Sequence, residues 1–257
     1  MIHSTVNWCA MKSRPAALLF CASLTLSTAM LASEPLAPPA SYADSVAAFQ
    51  QQSAKSSGPQ ISDADRETMA RAKLDLAELM PDPGLAVGTR APDFTLPNAF
   101  GKPVNLYAQL EKGPVVLSFY RGAWCPFCNL QLKGLRDSLA HFESHNARLI
   151  AITPQTPDKS LEQVKKEGYP FEILSDLDSE VMKAYGLYFE VPEDLSDVYR
   201  RNFALDLATY NGPGRYVLPV PGTYVIDTRG TIRAAFAETD YTRRMEPAAI
   251  VAALETL

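Results

Sequence analysis

Thiols and histidines are scarce in this chain: four cysteines and three histidines in 257 residues. Positive charge is in deficit, with 24 Lys and Arg against 29 Asp and Glu, a net charge of −5. That balance argues against nucleic acid as the main partner. The uncharged run AALLFCASLTLSTAML, Ala16 to Leu31, falls short of the ~20 residues that span a bilayer. Internal repeats are absent. What remains is ordinary for a soluble globular protein, 47% hydrophobic and 21% charged, and long enough for one large or two small domains.

Lys12 and Arg14 before the uncharged run, and small residues at Ser27, Ala29, Ala32 and Ser33 after it, form a secretion pattern. Residues 1–32 are expected to be a signal peptide, with Met11 as an alternative start and an uncleaved anchor as the rival reading. Export predicts a periplasmic or other extracytoplasmic location, an oxidising setting, with no stable membrane insertion once the signal is removed. Cys9 and Cys21 would leave with the signal. Cys125 and Cys128 then remain as the only thiols, and no third one is left in the chain to resolve either.

Residues 33–84 read as a linker and an N-terminal helix. The Pro-, Ala-, Ser- and Gln-rich stretch to residue 60 is expected to be mostly flexible, with a short helix at Tyr42 to Gln52. A helix follows over 61–80, capped by Ser62, with Met69, Ala72, Leu76, Leu79 and Met80 on one stripe. The stripe has two readings, packing on the domain behind it or pairing with another subunit. From residue 85 to 257 the pattern is α/β. Strands are expected at 94–96, 104–106, 115–120, 149–153, 171–174, 223–227 and 231–237. Helices are expected at 126–145, 156–167, 179–185 and 246–257. An insert near 187–217 fits no simple period and should hold at least one helix near 195–208. Alternating strands and helices predict a mixed central sheet between helical layers.

The informative stretch is RGAWCPFCN, Arg121 to Asn129, directly after the apolar run PVVLSFY. A strand feeding a helix through W-C-P-x-C places thiols at a helix start, where unpaired N–H groups carry partial positive charge and favour the thiolate. Pro126 suits the first helical position. A spacing of three residues puts both sulfurs on one face, within reach of a disulfide. One cysteine is expected to be exposed and the other recessed. Cys125-x2-Cys128-x12-His141-x3-His145 also has zinc-finger spacing. A single helix over 126–145 would hold Cys128 and His141 roughly 20 Å apart, so neither a metal nor a cofactor is expected.

Three segments carry a resemblance: VGTRAPDFTLPNAFGKPVNL, YRGAWCPFCN and PVPGTYVIDTRGTIRAAFAETDYTRRMEP. Together they resemble the peroxiredoxin-like branch of the alkyl hydroperoxide reductase and thiol-specific antioxidant (AhpC/TSA) family. The resemblance implies a thioredoxin-like fold and a thiol-dependent peroxidase using hydroperoxides, recycled by a thioredoxin-like reductant. Aligned on the family's peroxidatic cysteine, Cys128 takes that position, Cys125 stands where a threonine is usual and Arg121 where a proline is usual. The arginine that the family places before the strand at 223–227 is replaced by Val220-Pro221-Gly222, which looks like thioredoxin's proline facing the CxxC. Cys128, Cys125 and Arg121 are therefore the catalytic candidates, Trp124 and Pro221 the substrate-binding ones, and Cys125–Cys128 the redox disulfide. Arg121 also reads as a salt-bridge residue under the sheet, and Trp124 as core. Arg243 and Arg244 of DYTRR default to surface arginines. Two rivals stay open: a thioredoxin-type oxidoreductase acting on protein partners through Cys125, and a non-catalytic binding module.

Overall fold

The computed structural model describes residues 36–55 and 60–257. The expected signal segment, with Cys9 and Cys21, lies outside them. In chain order the elements are α1 (Tyr42–Lys55), α2 (Asp63–Leu79), β1 (Thr95–Pro97), β2 (Pro103–Asn105), α3 (Leu106–Leu110), β3 (Val115–Phe119), α4 (Pro126–Asp137) and α5 (Leu139–Ser144). Then come β4 (Arg148–Thr153), α6 (Pro157–Glu167), β5 (Glu172–Ser175), α7 (Glu180–Ala184), β6 (Tyr188–Glu190), α8 (Glu193–Phe203), α9 (Leu207–Asn211), β7 (Val217–Pro219), β8 (Gly222–Ile226), β9 (Ile232–Ala237) and α10 (Pro247–Leu254).

Five strands form one sheet in the order β5-β4-β3-β8-β9. β3 is parallel to β4 and β4 to β5, while β8 runs antiparallel to both β3 and β9. Every residue of β3 and β8 is buried, as an apolar strand covered on both faces must be. Leu117, Phe119, Tyr224 and Ile226 face one core with Tyr185 and Leu187. Val116 and Val225 face another with Leu135, Phe142 and Ile250. This is the expected mixed sheet between helical layers. Gly168 closes α6 in the left-handed conformation, φ 66°, the geometry that favours glycine at a helix end.

One expectation about the helices needs correction. The helix expected over 126–145 is two helices broken at Ser138. The Ser138 N–H is shared between the carbonyls of Gly134 and Leu135, and its Oγ accepts from Ala40 N at 3.1 Å, so a tertiary contact ends the helix. Beyond the break, His141 Nε2 lies 2.6 Å from the carbonyl of Ala37. The insert holds two helices, α8 and α9, where at least one was expected near 195–208. Ala204, at φ 48°, ends α8, and the small antiparallel pair of β6 and β7 closes the segment at its base.

The segment read as linker is docked. Glu246 accepts from the backbone N–H groups of Tyr42 and Ala43, both at 2.9 Å, and so neutralises the positive start of α1. Tyr42 is buried and donates to the carbonyl of Thr242 at 2.6 Å. The helix α2 has no fully buried residue. Its stripe packs on the domain: Leu76 and Met80 against the main core, Met69 and Ala72 against α8 and its neighbours, while Leu79 stays exposed. Ion pairs Arg71–Asp194, Arg201–Asp65 and Lys73–Asp240 flank the contact.

Candidate active site

β3 ends at Phe119 and α4 begins at Pro126, so Tyr120 to Cys125 form a short turn at the sheet's carboxyl edge. Both backbone groups of Ala123 are fixed. Its N–H donates to Gln155 Oε1 at 2.8 Å and its carbonyl accepts from Asn129 Nδ2 at 2.7 Å. A Cβ on Gly122 would lie 2.4 Å from Trp124 Nε1, which restricts that position to glycine if the Trp124 ring is to keep its place. Cys125 caps α4 with Pro126 at the first position, and Cys128 lies in the first turn.

Both cysteines are reduced and buried, at 1% and 0% exposure. The expectation of one exposed sulfur is corrected: Trp124, Phe127 and Tyr241 pack over the pair. The two thiols still differ. Cys125 lines an apolar groove and Cys128 lies behind it.

Their electrostatics differ more. Burial pushes the Cys128 thiol up, but a hydrogen bond from the Cys125 thiol, the Arg244 and Arg121 guanidinium groups and the Arg121 backbone N–H outweigh it and bring its pKa down to about 5. Arg244 Nη2 sits 3.5 Å from Cys128 Sγ. Cys125 is raised, first because its proton is engaged by the Cys128 sulfur and then by burial. The pair therefore holds one proton, on Cys125, and one negative charge, on Cys128.

Arg244 corrects the surface reading of DYTRR. It is 6% exposed, its Nε donates to Gln131 Oε1 at 2.8 Å, and its Nη1 donates to the carbonyls of Tyr241 and Arg243. Gln131 in turn donates to Thr223 Oγ1 on β8 at 3.0 Å. Arg243 is the exposed one, paired with Glu238. The sequence offered Arg244 only as a surface arginine and did not mark Gln131, for which a polar residue on an otherwise apolar helix face was the one available sign. Replacing Gln131 with leucine leaves the Arg244 Nε and the Thr223 hydroxyl without this buried partner. The expected result is a loss of about 1–3 kcal/mol in urea unfolding together with a higher Cys128 pKa in thiolate absorbance. An unchanged pKa would remove the orienting role.

Arg121 is buried at 5% exposure and forms no salt bridge among the described residues. The carboxylate reading is thus replaced by an aromatic setting. Its guanidinium lies 4.4 Å from the Tyr241 ring, 5.0 Å from Trp124 and 6.0 Å from Tyr199, and one nitrogen donates to Tyr199 Oη at 2.8 Å. Burial works against its charge, but Tyr199 and the two sulfurs more than offset this and raise its pKa. Trp124 is half-buried and shares this cluster, and Pro221 lines the groove beside Cys125.

A turn-and-helix dithiol at the edge of a mixed sheet, with one thiolate held by buried cations, defines a thiol-based oxidoreductase of thioredoxin-like fold. The sequence pattern of the AhpC/TSA family matches residues 87–235, and the chain belongs to that family as a peroxiredoxin-like member. A Mycobacterium tuberculosis chain classed with the peroxiredoxins is 35% identical over 125 residues, 48% of this chain and 79% of the relative. Peroxiredoxin Bcp of Escherichia coli K12 is 30% identical over 125 residues, 48% of this chain and 80% of its own length. Among solved structures, Peroxidoxin BcpB from Mycobacterium tuberculosis superposes with a TM-score of 0.54 at 22% identity, covering 67% of this chain and 98% of that one, which supports the fold.

Proposed function

We propose that Cys128 is the attacking thiol of this thiol-dependent peroxidase and Cys125 its resolving partner. One observation carries the assignment: the Cys128 sulfur lies in the first turn of α4, 3.5 Å from the buried Arg244 guanidinium. The thiolate is the nucleophile, and the charge of this pair resides on Cys128.

The Cys128 thiolate attacks one oxygen of a hydroperoxide. An S–O bond forms, the O–O bond breaks, and the leaving alkoxide takes the Cys125 proton. Cys128 is then a sulfenic acid. The Cys125 thiolate attacks that sulfur, hydroxide leaves, and the Cys125–Cys128 disulfide remains. A thioredoxin-type dithiol supplies the two electrons that restore it by exchange, entering through Cys125, the sulfur that lines the groove. Arg121 and Arg244 offset the charge that develops on the leaving oxygen.

Rapid mixing of the reduced Cys125→Ser variant with hydrogen peroxide tests the order of events. The expected result is one fast turnover that leaves a sulfenic acid on Cys128, trapped by dimedone. The contact of Cys125 and Pro221 with the groove favours a second reading, in which Cys125 attacks disulfides of protein partners as in thioredoxin. No sulfenic acid in Cys125→Ser, with mixed disulfides captured through Cys125 in Cys128→Ser, would replace the first reading with the second.

A further inference from the structure

The groove beside Cys125 encloses about 400 Å³, within the roughly 300–1,000 Å³ of small-molecule sites. Its walls come largely from outside the strands of the main sheet. The helix α2 contributes Met69, Ala72 and Leu76, and the insert contributes Phe189, Leu195 and Phe203. Carboxylates and a lysine line it too, at Asp75, Glu190 and Lys73, and all three side chains are on exposed residues.

The buried part of the same groove holds a cation. Arg121 lines it, is 5% exposed, and its Nε has no hydrogen-bond partner among the described residues. Among the described residues, only Tyr199 Oη accepts from the guanidinium and no carboxylate pairs with it. A buried guanidinium presents planar donors suited to a carboxylate, and a buried donor without a partner is costly. Apolar walls ending on a buried, incompletely paired guanidinium are complementary to a molecule with a hydrocarbon chain and one anionic end.

We propose that this groove binds a long-chain carboxylate, with the head group on Arg121 and the chain between α2 and the insert. The head group then covers Cys125, so the ligand competes with whatever approaches the dithiol through the groove. The inference goes beyond the peroxidase reading and does not require it.

Calorimetric titration of the reduced full chain with dodecanoate, below its micelle-forming concentration, tests the proposal. Saturable binding is expected. Affinity should rise about fourfold for each methylene that enters the groove along the series from octanoate to dodecanoate. Dodecanol should bind at least tenfold more weakly, and Arg121→Met should erase the preference for the acid. Ala72→Trp, which fills the groove from α2, should remove binding of both, with circular dichroism verifying that each variant is folded. Equal affinity for dodecanol and dodecanoate, unchanged binding in Ala72→Trp, or no saturable heat overturns the proposal. Peroxide turnover is not the readout, so a failure here leaves the peroxidase assignment standing.

Discussion

Serine at position 128 lowers the rate of reaction of the reduced protein with hydrogen peroxide by on the order of a thousandfold or more, while serine at position 125, which keeps a hydroxyl donor, still gives one turnover to the sulfenic acid. Access and charge point to different sulfurs here. Cys125 lines the groove, and Cys128 is fully buried behind it. Charge decides, because a neutral thiol is a poor nucleophile whatever its exposure. With a pKa of about 5, Cys128 is about 99% ionised at pH 7. The Cys125 proton is engaged by the Cys128 sulfur, and burial and the neighbouring thiolate oppose its loss as well, so its pKa is raised. A hydroperoxide must still pass Cys125, so Trp124, Phe127 and Tyr241, which cover the pair, have to give way by local opening. Rapid mixing with detection of free thiols measures the loss, and equal rates in Cys128→Ser and the parent would end the assignment.

The strand–turn–helix unit was legible because its determinants are local. PVVLSFY has the uncharged, largely apolar character of a covered strand, Pro126 fixes the first helical position, and the two cysteines follow by spacing. The parts that tune the sulfurs were not legible, because each depends on contacts across long sequence separations. Arg244 lies 116 residues from Cys128 and Gln131 lies 92 from Thr223, so DYTRR read as surface charge. Ser138 breaks a good helical pattern for the sake of a backbone N–H 98 residues away. The docking of α1 rests on Glu246, more than 200 residues distant. The aromatic setting of Arg121 needs Tyr199 from the insert and Tyr241 from beyond β9, neither of which any periodicity links to the CxxC. Local pattern thus located the dithiol, and tertiary contacts decide which sulfur is charged.

Methionine in place of Arg244 raises the pKa of Cys128 and cuts the peroxide rate at neutral pH. Burial is the largest influence on this thiol and acts upward; it is overcome by the Cys125 hydrogen bond, Arg244 and Arg121 acting together. Methionine roughly fills the volume and removes the charge, leaving burial less opposed. The rate against pH, which in the parent should rise through about pH 5 and then level, should level only at higher pH in the variant. Thiolate absorbance at 240 nm should follow the same curve. Stability gives an independent readout through linkage. The Cys128 pKa is depressed on folding from an ordinary thiol value of 9.0, so its contribution to reduced-state stability is fully present above about pH 9. That contribution is lost as pH falls towards about 5. The disulfide form has no such titration. The stability of the reduced parent relative to its disulfide form should therefore rise between pH 5 and 9, and the rise should shrink in Arg244→Met. A variant with the parent's pH–rate curve and the parent's stability slope would show that Arg244 is packing alone. A shift in both curves together would place the guanidinium as the charge that makes Cys128 the nucleophile.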